Sequence, residues 1–146
     1  MVRGRAVHDK SWERGYQRGI HARRDGDPTG GGPLPHVHHW ENKTFYVLEG
    51  ELEFMVADDN ILKVSAGSWL VVPKGTSHTY KNTGTQPARY LGVLAPGGIE
   101  KFFEEVSVPA LDRSSPPPFE EEDLDKILSI APKYGLEIWP PTETCN

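Results

Sequence analysis

Four histidines occupy two short segments that meet only if the chain between them doubles back. His36, His38 and His39 lie in Gly30-Gly-Gly-Pro-Leu-Pro-His-Val-His-His-Trp-Glu, and His78 ends Gly67-Ser-Trp-Leu-Val-Val-Pro-Lys-Gly-Thr-Ser-His. Side chains alternate along a strand, so His36 and His38 share a face there and His39 takes the other. Neutral imidazole is the commonest nitrogen ligand for zinc, copper, iron or nickel, which makes His36, His38 and His78 candidate metal ligands. On this parity His39 belongs to the surface or the rim, and joins the site only through a bulge.

The segments around the histidines are β-rich and short. Thr44-Phe-Tyr-Val-Leu-Glu, Glu51-Leu-Glu-Phe-Met-Val, Ile61-Leu-Lys-Val-Ser, Ser68-Trp-Leu-Val-Val, His78-Thr-Tyr and Ala88-Arg-Tyr-Leu-Gly-Val-Leu are separated by Gly, Asp, Asn and Pro. Such runs predict an all-β sandwich or barrel. One or two strands are expected within residues 1 to 24, where alternation is weak around Tyr16 to Ala22, and Asp25 to Pro35 reads as an irregular loop rich in turn residues. After Pro96-Gly-Gly the period changes: Ile99, Phe102, Phe103 and Val106 form one helical stripe, and Leu124, Ile127, Leu128 and Ala131 a second, closed by Pro132. Between them Arg113-Ser-Ser-Pro-Pro-Pro-Phe is incompatible with a helix and should run extended.

Composition narrows the partners. The chain of 146 residues suits one domain, taken as residues 1–146 with a C-terminal helical extension over about 97–135. Its 16 basic and 21 acidic residues leave a net charge of −5, which repels a phosphate backbone and argues against nucleic acid. No apolar stretch reaches the ~18 residues of a membrane span, so no membrane partner is expected. The single cysteine, Cys145, permits no internal disulfide, which agrees with a cytoplasmic location.

The histidine segments also carry fixed spacings. Gly67, Pro73, Gly75, His78 and Asn82 match the second motif of the cupin superfamily at every fixed position, and the motif core runs from residue 30 to 82. Gly30, His36, His38 and Gly50 resemble the first motif, with one departure: Lys43 stands where the family carries a metal-binding glutamate. Together with Thr44-Phe-Tyr-Val-Leu-Glu-Gly-Glu-Leu, Pro96-Gly-Gly-Ile-Glu-Lys-Phe-Phe-Glu-Glu and Lys133-Tyr-Gly-Leu-Glu-Ile, the chain resembles bacterial single-domain cupins of the quercetin 2,3-dioxygenase type over residues 30 to 139. The resemblance implies a jelly-roll β-barrel with short helices packed outside, one divalent transition metal (iron, zinc, nickel, manganese or copper), and a homodimer.

Around the histidines further residues qualify for the site. Lys43 in place of a carboxylate raises the local charge by two, weakens cation binding and favours an anionic or enolic small-molecule substrate; it is a catalytic candidate, as is Tyr80, which shares the face of His78. Glu41 has the parity of position 43 but lies roughly 6.6 Å back along a strand, so it is an additional metal or pocket candidate beside His39. Phe45, Val47, Leu52, Phe54, Trp69 and Val71 are the candidate wall. The resemblance implies first a metal-dependent enzyme, a non-haem dioxygenase acting on a small aromatic or enolic substrate that chelates the metal, with two alternatives: a redox-neutral cyclase or isomerase of the polyketide type using zinc as Lewis acid, and a non-catalytic small-molecule-binding protein.

Overall fold

The computed structural model describes residues 21–27, 30–107 and 121–140. Of the one or two strands expected within residues 1 to 24, the described residues His21–Arg24 lie in a strand; the remainder, and the expected extended Arg113–Phe119, fall outside the described residues. Among the described residues nine strands and two α-helices run in the order β1 (His21–Asp27), β2 (His36–His38), β3 (Asn42–Glu49), β4 (Glu51–Val56), β5 (Asn60–Ser65), β6 (Trp69–Val72), β7 (His78–Lys81), β8 (Ala88–Ala95), α1 (Glu100–Val106), α2 (Glu121–Ile130) and β9 (Leu136–Ile138). All strand pairs are antiparallel. They form two sheets, one of order β1-β8-β3-β6 and one of order β5-β4-β7-β2-β9, and hydrogen bonds do not close the two into one barrel. The expected all-β jelly roll is what the chain forms.

Alternation decides what enters the core between the sheets. Along β3 Phe45 and Val47 are fully buried, along β4 Leu52 and Phe54, and along β8 Ala88, Tyr90 and Leu94. Each large apolar side chain removed from water stabilises the fold by roughly 1.5–3 kcal/mol. A second cluster, built from Leu94, Ile99, Phe102, Ile127, Ala131 and Leu136, joins the end of β8 to the helices. Both predicted helical stripes are therefore buried at their central residues, and Pro132 ends α2 by starting a 3-10 turn over Ala131–Tyr134.

Two stretches depart from the sequence reading. Asp25, Gly26 and Asp27 belong to β1, paired with Tyr90, Arg89 and Ala88, because the neighbouring strand satisfies their backbone groups and overrides turn preference. Trp69 and Val71 are 61% and 59% exposed. Lys43 pairs with Val72, Phe45 with Leu70 and Tyr46 with Trp69, and directly opposed residues share a face. Trp69 thus lies on the outer surface, 4.6 Å from the Tyr46 ring, and neither it nor Val71 is a wall residue.

The C-terminal turn fixes β2. Gly135 caps the 3-10 turn at φ 65°, and its carbonyl accepts a hydrogen bond from the His39 N–H at 2.8 Å. A Cβ there would stand 2.5 Å from the Trp40 ring, so only glycine fits. The chain then pairs as β9 with β2, aligning Ile138 with His36 and Leu136 with His38. Among the described residues no helix is long and apolar enough to cross a membrane.

Candidate metal centre

His36 opens β2 and His78 opens β7, and the two are directly paired. His38, two residues on, keeps the same face. The three rings are 6%, 4% and 2% exposed for His36, His38 and His78, with centroids 4.2 to 5.8 Å apart. One ligand atom from each lies within 4.8 Å of the others. Nitrogen ligands of a single ion with bonds of about 2.1 Å stand about 3–4 Å apart, so the cluster is close to the geometry an ion demands.

Hydrogen bonds select the nitrogens that face inward. His36 Nδ1–H donates to the Leu34 carbonyl at 2.7 Å, and His78 Nδ1–H to the Thr76 carbonyl at 3.2 Å. A carbonyl only accepts, so both rings carry their proton on Nδ1 and keep the Nε2 lone pair. His78 Nε2 is buried and has no hydrogen-bond partner. In each case the acceptor is two residues upstream, where a proline-bearing loop turns into the strand.

Burial also sets their charge. Desolvation is the main cause that lowers the His36 pKa well below its ordinary value, followed by the positive charge of Lys43. Desolvation and then Lys43 lower His78 from 6.5 to about 3, against the partial opposition of the Thr76 carbonyl. Both are neutral donors at physiological pH, the form in which imidazole binds metal. A buried, neutral nitrogen without a partner, as His78 Nε2 is, suits a cation.

The other candidates divide into three groups. Lys43 faces inward from β3, its Nζ 4.7 Å from the Phe45 centroid and 6.0 Å from that of Tyr80. Tyr80 is buried, and its hydroxyl shares a short hydrogen bond with that of Tyr90. Phe45, Val47 and Phe54 line the same interior, with Phe45 6.2 Å from the His78 ring. Glu41 is 3% exposed, and its Oε2 lies 3.5 Å from His38 Nδ1. Burial raises its pKa from 4.5 to about 7, and Glu100 adds to the rise while the residue's own backbone N–H opposes it. Its carboxylate is not among the clustered ligand atoms. His39 is exposed and pairs with Glu137 at 2.9 Å, because regular alternation turns it outward; it does not join the site.

Sequence reasoning passed over Tyr90, although its position in the alternating run of β8 pointed inward. It also passed over the carbonyls of Leu34 and Thr76, which no side-chain pattern reports.

Fold and centre together define the class: the chain carries a cupin domain, residues 26–94 matching the model of that domain. It is 30% identical over 114 residues to quercetin 2,3-dioxygenase of Bacillus subtilis, a match spanning 78% of this chain and 33% of that protein. Germin-like protein subfamily 2 member 2 of Arabidopsis thaliana is 33% identical over 119 residues, 77% of this chain and 51% of that one. The chain thus spans about half, or a third, of the length of these relatives. A solved protein with a double-stranded β-helix domain from Klebsiella pneumoniae superposes with a TM-score of 0.53 at 25% identity, covering 56% of this chain and 70% of that one.

Proposed function

We propose that the chain is a metal-dependent cupin enzyme. One divalent transition ion would be held by His36, His38 and His78, and the substrate would be a small anionic or enolic molecule that chelates it. The observation that carries this reading is the convergence of three buried imidazoles within 4.8 Å. When bound, the ion supplies Lewis acidity to an oxygen ligand and, if it is redox-active, electrons for dioxygen. The likeness to quercetin 2,3-dioxygenase favours a dioxygenase acting on an aromatic or enolic substrate.

The residues have separable roles. The imidazoles leave coordination positions free for a ligand. Lys43, beside the neutral rings, contributes an ammonium that attracts an ionised oxygen and counters its charge in a water-poor interior. Phe45, Val47 and Phe54 exclude water and offer an apolar face to a planar substrate. Tyr80, tied to Tyr90, is held rigid against Phe45, whose ring centroid is 5.4 Å away.

Oxygen-electrode assays of the iron-loaded protein with flavonols and β-diketones test the reading. Substrate-dependent oxygen uptake that disappears in His78→Ala supports it. Conversion without oxygen uptake by zinc-loaded protein replaces it with the cyclase or isomerase reading, and binding of the same molecules without conversion replaces it with a binding protein.

A further inference from the structure

The histidines of the cluster differ in what stands beside Nδ1, and in the His38 case the buried Nδ1 and the buried Glu41 Oε2 approach each other without closing a hydrogen bond. His36 and His78 face neutral carbonyls. His38 faces Glu41, whose Oε2 is 3.5 Å from Nδ1. Glu41 is also the only buried carboxylate among the described residues, and it sits in the short connection between β2 and β3. His36 and His78 are neutral and Lys43 is an ammonium, so among the described residues Glu41 is the buried group able to bring negative charge to a dication there. A carboxylate on the far side of a ligating imidazole strengthens that ring as a donor and fixes its orientation.

We propose that Glu41 is a positioning residue for His38: it accepts the Nδ1 proton, presents Nε2 to the ion, and delivers negative charge to the centre through the ring while staying out of the coordination sphere. This rests on the metal reading above. It assigns the two charges of the site to opposite ends of the ion's surroundings, the carboxylate behind a protein ligand and Lys43 on the substrate side.

Zinc competition titrations of the whole chain test it. The expected order of affinity is wild type, then Glu41→Gln, which keeps an acceptor and loses the charge, then Glu41→Ala, weaker than wild type by about tenfold to a hundredfold. In a His38→Ala background the Glu41→Ala loss should vanish. Equal affinity of Glu41→Ala and wild type overturns the proposal, as does a loss of the same size without His38, since Glu41 would then touch the ion or the fold directly. Two-bond nitrogen–proton spectra of the metal-free protein, recorded above pH 7 where Glu41 is ionised, give a readout independent of binding. His38 should carry its proton on Nδ1 in wild type and Glu41→Gln and become mixed in Glu41→Ala; a wild-type ring protonated on Nε2 contradicts it. Failure of wild type to bind zinc would remove the metal reading, whereas normal wild-type binding with an unaffected Glu41→Ala removes only the role of Glu41.

Discussion

Lys43 turns inward for the same reason as Phe45 and Val47, the period of two along β3, so its charge acts where the imidazoles gather. Lys43→Glu changes the charge beside the ion by two units and should raise zinc affinity about tenfold or more; an unchanged affinity in competition titration would mean that the side chain does not act on the centre. The histidines predict a pH dependence for the metal-free protein. His78 takes up a proton near pH 6.5 when unfolded but only near 3 when folded. Stability is therefore lost as pH falls below 6.5, by roughly 1.4 kcal/mol per unit for this residue. Glu41 has the opposite sign, holding its proton in the folded state up to about 7, so it lowers stability as pH rises from 4.5. Urea unfolding at pH 6 and pH 5 should show wild type losing about 1.4 kcal/mol more than His78→Gln. Equal losses would contradict the neutral, buried state assigned to His78.

The strands were legible where alternation ran unbroken, as in β3, β4 and β8, and Phe45, Val47 and Phe54 followed from it. Trp69 was misplaced because parity does not carry across the loop from Pro73 to Ser77, and only pairing with β3 fixes the face of β6. Phe54→Ala should cost about 3–5 kcal/mol. Trp69→Ala, which removes only a surface stack with Tyr46, should cost under about 1.5 kcal/mol and leave zinc affinity unchanged. Chemical denaturation that ranked these two in the reverse order would refute the register. β9 was invisible in the sequence, since three residues after a turn carry too little pattern, yet it borders the strand that bears His36 and His38. Gly135→Ala forces a side chain into left-handed backbone against the Trp40 ring and should destabilise by about 1–3 kcal/mol. It should also weaken zinc binding, because β9 and the His39 N–H lose their anchor. An unaltered melting temperature would show that the turn adapts without cost.

At the scale of the molecule, spacing revealed which histidines share a face, and neighbouring places in the five-stranded sheet bring β2 and β7 together. What the sequence withheld was the surroundings: backbone acceptors, the carboxylate behind His38, and the return of the C-terminal strand all arise from pairings distant along the chain. An ion that binds only the folded state adds stability by mass action, about 2.7 kcal/mol at a hundredfold excess over Kd. Zinc should therefore raise the thermal midpoint of wild type, and the shift should vanish in His36→Ala. A shift that persists in this variant would locate the ion elsewhere.

Elemental analysis of the chain after equilibrium dialysis against zinc or iron addresses the centre itself. One ion per chain is expected in wild type and in His39→Ala, and a small fraction of that in His78→Ala. An ion retained by His78→Ala but lost from His39→Ala, or no ion in wild type, would contradict the account.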